Sequence, residues 1–211
     1  MALLRARWLL IVAALGACAA GFFLAAQLDR AGPPLTSGTW LPQPKAVPQF
    51  TLTDTSGRTF TRDELLGAPA LVFFGFTHCP DVCPTTLLKL AQIRKTARVE
   101  HLRVLFVSID PQRDSPPVLG AYVHAFDPAF EGLTGSSQGI AALAAAFGVA
   151  VNRVELPGGD YTMDHSAVIF LINDAAQIDA IFTPPFEVAG VSRDLDRAAS
   201  YLASGRARAV T

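Results

Sequence analysis

The feature that most constrains the fold of this 211-residue chain is an apolar run, Ala70 to Phe76, with two cysteines and a helical pattern directly after it. A run without polar side chains is typical of a strand buried on both faces, as in the centre of an α/β sheet. Pro84 then opens a segment in which Leu87 and Leu90 belong to an apolar stripe at helical spacing. The sequence therefore predicts a central strand followed by an amphipathic helix, with the cysteines at the junction.

The remainder of the chain alternates between strand and helix patterns. The predicted strands are Phe50–Thr53 and Arg58–Phe60, joined as a hairpin around Ser56-Gly57, then Arg103–Ile109, Val149–Val154, Ala167–Ile172 and Gln177–Phe182. The predicted helices run from Ser115 to about Phe126, from Ser136 through Phe147 and from about Val191 to Ala203. This alternation predicts an α/β fold with a central sheet, flanking helices and an N-terminal hairpin. A cysteine pair between the first buried strand and its helix is the thioredoxin arrangement, here with three intervening residues instead of two.

The N-terminal segment predicts that the domain is exported. Arg5 and Arg7 precede an apolar stretch from Trp8 to about Ala26, which approaches the roughly 20 residues that span a bilayer. We expect residues 1–29 to be a single-pass anchor in a bacterial inner membrane, with the domain facing the periplasm. A cleaved signal sequence and a lipoprotein modified at Cys18 are the alternatives.

After the N-terminal segment, the composition of the chain predicts a tether, a domain and a short tail. Residues 30–47 are rich in Pro, Gly, Ser and Thr, which predicts a flexible tether, followed by a domain over 48–205 and a tail over 206–211. The formal net charge is −1 and no basic cluster is present, so nucleic acid is not expected as a partner.

Cys79 and Cys83 carry the chemistry of the domain. Two thiols four residues apart at a helix start lie on one face, where N–H groups and the helix dipole favour thiolates. They can bind one soft metal ion or form one disulfide. Because the exported part has only these two cysteines, close together, a structural disulfide framework is not expected.

A metal site needs a third ligand, and His165 is the best of the four histidines. It precedes the apolar strand that begins at Ala167, and Asp164 or a backbone carbonyl would orient its ring. A Cys₂His set suits Cu(I), and Cu(II) when an oxygen ligand joins. A strand-edge histidine without a metal role is the alternative. His78 is interpreted as a neighbour of the site, and the other two histidines as surface residues.

Three motifs together resemble the Sco/SenC family of copper-binding cytochrome c oxidase assembly proteins. They are the run Gly75 to Pro84, which contains CPxxCP, the segment Ser108 to Asp114, and Asp164-His165-Ser166. The resemblance covers nearly the whole exported domain. It implies a thioredoxin-like fold, with Cys79, Cys83 and His165 as copper ligands. It also implies copper delivery to, or thiol reduction at, the binuclear copper site of an oxidase subunit.

Two acidic residues near the cysteines have more than one interpretation. Asp81 would tune the thiolates, offer an occasional oxygen ligand, or cap the following helix. Asp110, together with Asp114, would shape a loop that docks a partner, or simply form a turn.

Three functions remain open from the sequence. The first is a copper metallochaperone that needs His165 as much as the cysteines. The second is a thiol-disulfide oxidoreductase that uses only Cys79 and Cys83. The third is a peroxiredoxin-like peroxidase with Cys79 as nucleophile, for which Thr77 is not in the usual place. The expected partners are the copper-site subunit of the oxidase, other periplasmic copper chaperones or thiol oxidoreductases, and the membrane through the N-terminal helix.

Overall fold

The computed structural model describes residues 7, 11–22 and 32–209. Residues 11–22 are helical, and a separate compact unit begins at Pro34. Within the described ranges, no helix combines the length and apolarity needed to cross a bilayer. Much of the predicted anchor over 1–29 lies outside the described residues, so the anchor and the alternatives to it stay predictions.

The unit from Pro34 contains a mixed sheet of eight strands and a separate hairpin of two, counted over residues 32–209. The strands are β1 (Gly38–Ala46), β2 (Thr51–Asp54), β3 (Thr59–Thr61), β4 (Ala70–Gly75), β5 (Arg103–Ser108), β6 (Glu131–Thr134), β7 (Val151–Glu155), β8 (Tyr161–His165), β9 (Ile169–Ile172) and β10 (Gln177–Phe182). The order in the sheet is β1-β10-β9-β4-β5-β6-β2-β3, and β7 pairs with β8 in the hairpin.

The predicted central strand is confirmed as β4. All six of its residues are buried, and it lies between the parallel strand β5 and the antiparallel strand β9. Its neighbours β5 and β9 are also largely buried. Strands covered on both faces have their apolar side chains removed from water on both sides, which stabilises the fold. The core therefore forms around the strand that leads into the cysteines.

The helices are α1 (Val82–Thr96), α2 (Pro116–His124), α3 (Ser137–Phe147) and α4 (Val188–Ala209), with a 3₁₀ turn at Arg62–Leu65. The side-chain oxygen of Ser136 accepts the N–H of Gly139, which confirms the predicted cap of α3. Helix α1 packs against α4. Helix α4 continues to Ala209, past the end predicted at about Ala203, and the tail predicted over 206–211 stays a prediction.

The predicted tether over 30–47 is wrong for its second half. Residues Gly38–Ala46 form β1, which pairs with β10 at one edge of the sheet. The pairing is irregular between Trp40 and Lys45, where Pro42 and Pro44 stand. Proline has no N–H to donate and is tolerated at edges and irregularities of a sheet, so a proline-rich segment can still form an edge strand.

Two further strands, β6 and β8, were not predicted from the sequence. Strand β6 is short and contains Gly132, and its pairing with β5 and β2 supplies the stability that its composition lacks. Strand β8 belongs to the two-stranded hairpin outside the main sheet. His165 is the last residue of this hairpin strand and precedes β9, as its position ahead of the predicted strand indicated.

Candidate functional site

The cysteines lie where β4 gives way to α1. Cys79 precedes the helix and is partly exposed, whereas Cys83 lies in the first helical turn and is completely buried. The N–H of Cys83 donates to Cys79 Sγ at 3.3 Å. Gly75 allows this packing, since a Cβ there would lie 2.9 Å from Cys83 Sγ and 2.7 Å from the ring of Phe106. Both cysteines are free thiols.

The two thiols differ strongly in acidity. A hydrogen bond from the Cys83 thiol, together with N–H groups of Cys83 and Asp81 and the nearby His165, lowers the pKa of Cys79 to about 5. Its role as donor to Cys79, and then burial, raise the pKa of Cys83 well above its ordinary value. The arrangement thus pairs an accessible thiolate, Cys79, with a buried thiol, Cys83, so the expected preference for thiolates at the helix start holds for Cys79 and is wrong for Cys83.

The structure brings His165 to the cysteines. Its Nε2 lies 3.7 Å from Cys83 Sγ, and its ring meets those of Phe73 and Phe76 edge-on at 6.1 and 6.2 Å between centroids. On the other side of the ring, Nδ1 lies 3.2 Å from the carbonyl oxygen of Ser166. A donor Nδ1–H would leave the Nε2 lone pair directed at the sulfur side, which is the form that binds a metal.

At the end of β4, Cys83 therefore contacts both Cys79 and the imidazole of His165. Across residues 32–209, however, no three His, Cys, Asp or Glu side chains are gathered closely enough to form a complete metal cluster. The donor types suit copper, because thiolates and imidazole are its preferred protein ligands. The assignment of Cys79, Cys83 and His165 as ligands remains a prediction.

A buried carboxylate that the sequence reasoning undervalued holds the cysteine loop. Asp114 is fully buried and accepts the Thr77 N–H at 3.1 Å, the Thr77 hydroxyl at 2.5 Å and the Ser108 hydroxyl at 2.7 Å. Thr77 stands two residues before Cys79, so Asp114 joins the cysteine loop to the end of β5. The turn pattern around Asp-Ser-Pro gave no sign of this burial.

Asp110 is buried as well, and it binds the β7–β8 hairpin. It accepts Arg113 Nε at 2.5 Å and the Tyr161 hydroxyl at 2.8 Å. The turn interpretation is confirmed, because the N–H groups of Arg113 and Asp114 donate to the Asp110 carbonyl oxygen, whereas a role in docking a partner stays a prediction. The side chains of both aspartates also accept hydrogen bonds from other elements, which the turn pattern did not indicate. A carboxylate is buried in this way only when donors compensate the loss of water.

The remaining candidates are peripheral to the cysteines. Asp81 occupies the N-cap position of α1 and is exposed, but its side chain makes no capping hydrogen bond. Asp164 is exposed and follows the alternation of β8 away from the face of His165, so the ring is oriented by the Ser166 carbonyl instead. His101 and His124 are exposed, as predicted for surface residues, and His78, predicted as a neighbour of the site, is exposed next to Cys79.

The sheet, the flanking helices and the dithiol at the strand-to-helix junction define a thioredoxin-like α/β domain. The family model SCO1/SenC matches residues 40–200. The chain belongs to the SCO1/SenC family.

Individual relatives agree with this assignment. A SCO2-like protein of Rickettsia felis is 42% identical over 128 residues, which are 59% of this chain and 62% of that protein. This chain thus spans less than two thirds of that relative's length. A protein of Stutzerimonas stutzeri that is named for copper binding is 33% identical over 159 residues, covering 74% of this chain and 78% of that one.

The fold matches a solved structure of the family. The copper-bound structure of ScoI from Bradyrhizobium japonicum superposes with a TM-score of 0.66 at 36% identity. The superposition covers 72% of this chain and 99% of that one. The thioredoxin-like fold predicted for the domain is therefore confirmed.

Proposed function

We propose that this protein is a copper metallochaperone in which Cys79, Cys83 and His165 hold one copper ion. The observation that carries the proposal is the approach of His165 Nε2 to within 3.7 Å of Cys83 Sγ, beside the hydrogen-bonded Cys79. Two sulfurs and an imidazole form a soft donor set of low coordination number, which suits Cu(I) and accommodates Cu(II) when an oxygen ligand is added.

The proposed cargo recipient is the binuclear copper site of a cytochrome c oxidase subunit. The resemblance to the Sco/SenC family supports this partner, and so does the partial exposure of Cys79, which thiolates of a recipient can reach. The buried Cys83 and the partly buried His165 would release the ion last. We further propose that the domain acts on the periplasmic side of a bacterial inner membrane, on the basis of Arg5, Arg7 and the apolar stretch after them.

Copper binding by the reduced full-length chain tests the proposal. With a chromophoric Cu(I) chelator as competitor under anaerobic conditions, we expect one copper per chain. Replacing Cys79 or Cys83 by alanine should abolish tight binding, and His165→Ala should weaken it by about 100-fold or more. His124→Ala is the matched control, since it removes an exposed histidine from the end of α2. Unchanged affinity in His165→Ala would refute the proposed ligand set.

A second function is supported by the unequal acidity of the two thiols. In a thiol-disulfide exchange, the exposed Cys79 thiolate would attack one sulfur of a disulfide in the recipient and release one recipient thiolate. Cys83, once deprotonated, would attack the Cys79 sulfur and release the other. The pair is oxidised by two electrons to a disulfide while the recipient gains two thiols, and a dithiol reductant would restore the pair.

Substitution of His165 distinguishes the chaperone function from the reductase function. A chaperone loses copper transfer in His165→Ala, whereas a reductase retains its ability to reduce a disulfide, because that reaction needs only the cysteines. Steady-state reduction of a disulfide peptide by the His165→Ala chain therefore distinguishes them. The peroxidase alternative receives no support from the geometry, because the Thr77 hydroxyl donates to Asp114.

A further inference from the structure

The strand that carries His165 is not fixed by the main sheet. Across residues 32–209, β8 forms its ladder hydrogen bonds with β7 alone. By strand alternation Tyr161, Met163 and His165 share one face of β8. Met163 is partly buried against the core, and His165 contacts Cys83. The position of His165 therefore depends on how the side chains of this face are held against the domain.

Tyr161 makes the most specific of these contacts. Its hydroxyl donates to Asp110 at 2.8 Å, and its ring lies between two guanidinium groups. The guanidinium carbons of Arg113 and Arg153 are 3.8 and 3.6 Å from the ring centroid. Cation–π contacts on both faces and a charged acceptor at the hydroxyl leave the ring little freedom to move.

The partners of Tyr161 are themselves anchored next to the cysteines. Arg113 binds Asp110 through Nε at 2.5 Å and the Tyr161 carbonyl oxygen through Nη1 at 3.0 Å. The N–H of Asp110 donates to Ser108 Oγ, whose hydroxyl donates to Asp114 at 2.7 Å. Asp114 in turn holds the cysteine loop. One loop, 110–114, thus contacts both the cysteine loop and the hairpin that carries His165.

We propose that Asp110, Arg113 and Tyr161 form a hairpin latch that positions His165 against Cys83 and thereby sets the geometry of the third copper ligand. These are positioning residues, because they act through His165. The inference rests on the proposed copper function, and it adds residues and a physical cause to it. The latch holds the hairpin that carries His165, whereas Asp114, in the same loop, holds the cysteine loop through Thr77.

The test removes one hydroxyl. In Tyr161→Phe the ring stays between the two arginines, while the hydrogen bond to Asp110 is lost. We expect Cu(I) affinity of the full chain to fall about tenfold, the effect of one hydrogen bond to a charged acceptor. The nitrogen splitting in the Cu(II) electron paramagnetic resonance spectrum should weaken.

Tyr201→Phe is the matched control, since it removes the same hydroxyl from α4, where the ring packs on Trp40. Wild-type affinity and nitrogen splitting in Tyr161→Phe would overturn the latch. A drop in affinity that is equal in the control would also overturn it, because a general loss of stability then explains the effect.

A readout without copper separates the latch from the proposed function. Nuclear Overhauser contacts between the rings of His165 and Phe76 report the position of the histidine in the metal-free chain. If the wild type binds no copper, the proposed function fails. The latch is then supported by loss of these contacts in Tyr161→Phe and Tyr161→Ala, and refuted if they persist in both.

Discussion

Asp114→Ala is expected to destabilise the domain and to loosen the cysteine loop. The substitution deletes a fully buried carboxylate that accepts two hydrogen bonds from Thr77 and one from Ser108. A hydrogen bond to a charged group contributes about 1.5–3 kcal/mol, and the loss of hydration of the buried carboxylate offsets part of the total. We therefore expect the free energy of unfolding to fall by about 3–5 kcal/mol, which is a large share of a typical domain's stability.

Urea unfolding followed by circular dichroism measures this loss. Asp114→Asn keeps the size of the side chain and one acceptor oxygen, so the loss should shrink to about 1–2 kcal/mol. Asp63→Ala serves as the control, because that carboxylate is 72% exposed and lies 4.0 Å from Arg62. Such exposed pairs contribute at most about 1 kcal/mol. A loss in Asp114→Ala no larger than in the control would refute the reasoning that the buried carboxylate holds the cysteine loop.

Two further predictions concern pH. Burial alone would raise the pKa of Asp194, but N–H groups of residues 36–38 and the Thr36 hydroxyl hold it below its ordinary 3.8. This carboxylate therefore stabilises the fold above that value, and its contribution is lost as the pH falls through the lowered pKa. Acid unfolding should be less steep in Asp194→Asn, and an unchanged profile would contradict this. Alkylation of Cys79, followed by peptide mapping, should reach half its maximal rate near pH 5. A midpoint above about pH 8 would show an ordinary thiol.

Much of the fold could be predicted from local sequence patterns. The apolar run of β4, the Ser136 cap of α3 and the turn around Ser56-Gly57 were each readable from neighbouring residues, and the structure confirms all three. The segment 38–46 was not readable in this way. Its prolines and glycine indicate a tether, and only its pairing with β10 and the hydrogen bonds of Asp194 to residues 36–38 make it part of the domain.

The sequence by itself determined the kind of chemistry at the site. Two cysteines between a buried strand and a helix, with a distant histidine, already limit the domain to soft-metal or thiol chemistry, because those properties belong to the side chains themselves. Tertiary structure alone decided which residues support that chemistry. Asp110 and Asp114 look like turn residues along the chain, and Tyr161 looks like a loop residue.

Their roles arise from contacts between residues that are far apart in sequence, since Asp110 meets Tyr161 across 51 positions and Asp114 meets Thr77 across 37. A single sequence does not specify such pairings. Burial then strengthens the hydrogen bonds of the paired carboxylates and makes unpaired ones costly. For that physical reason, Asp110 and Asp114 support the site in the folded chain, although their local sequence indicates only turns.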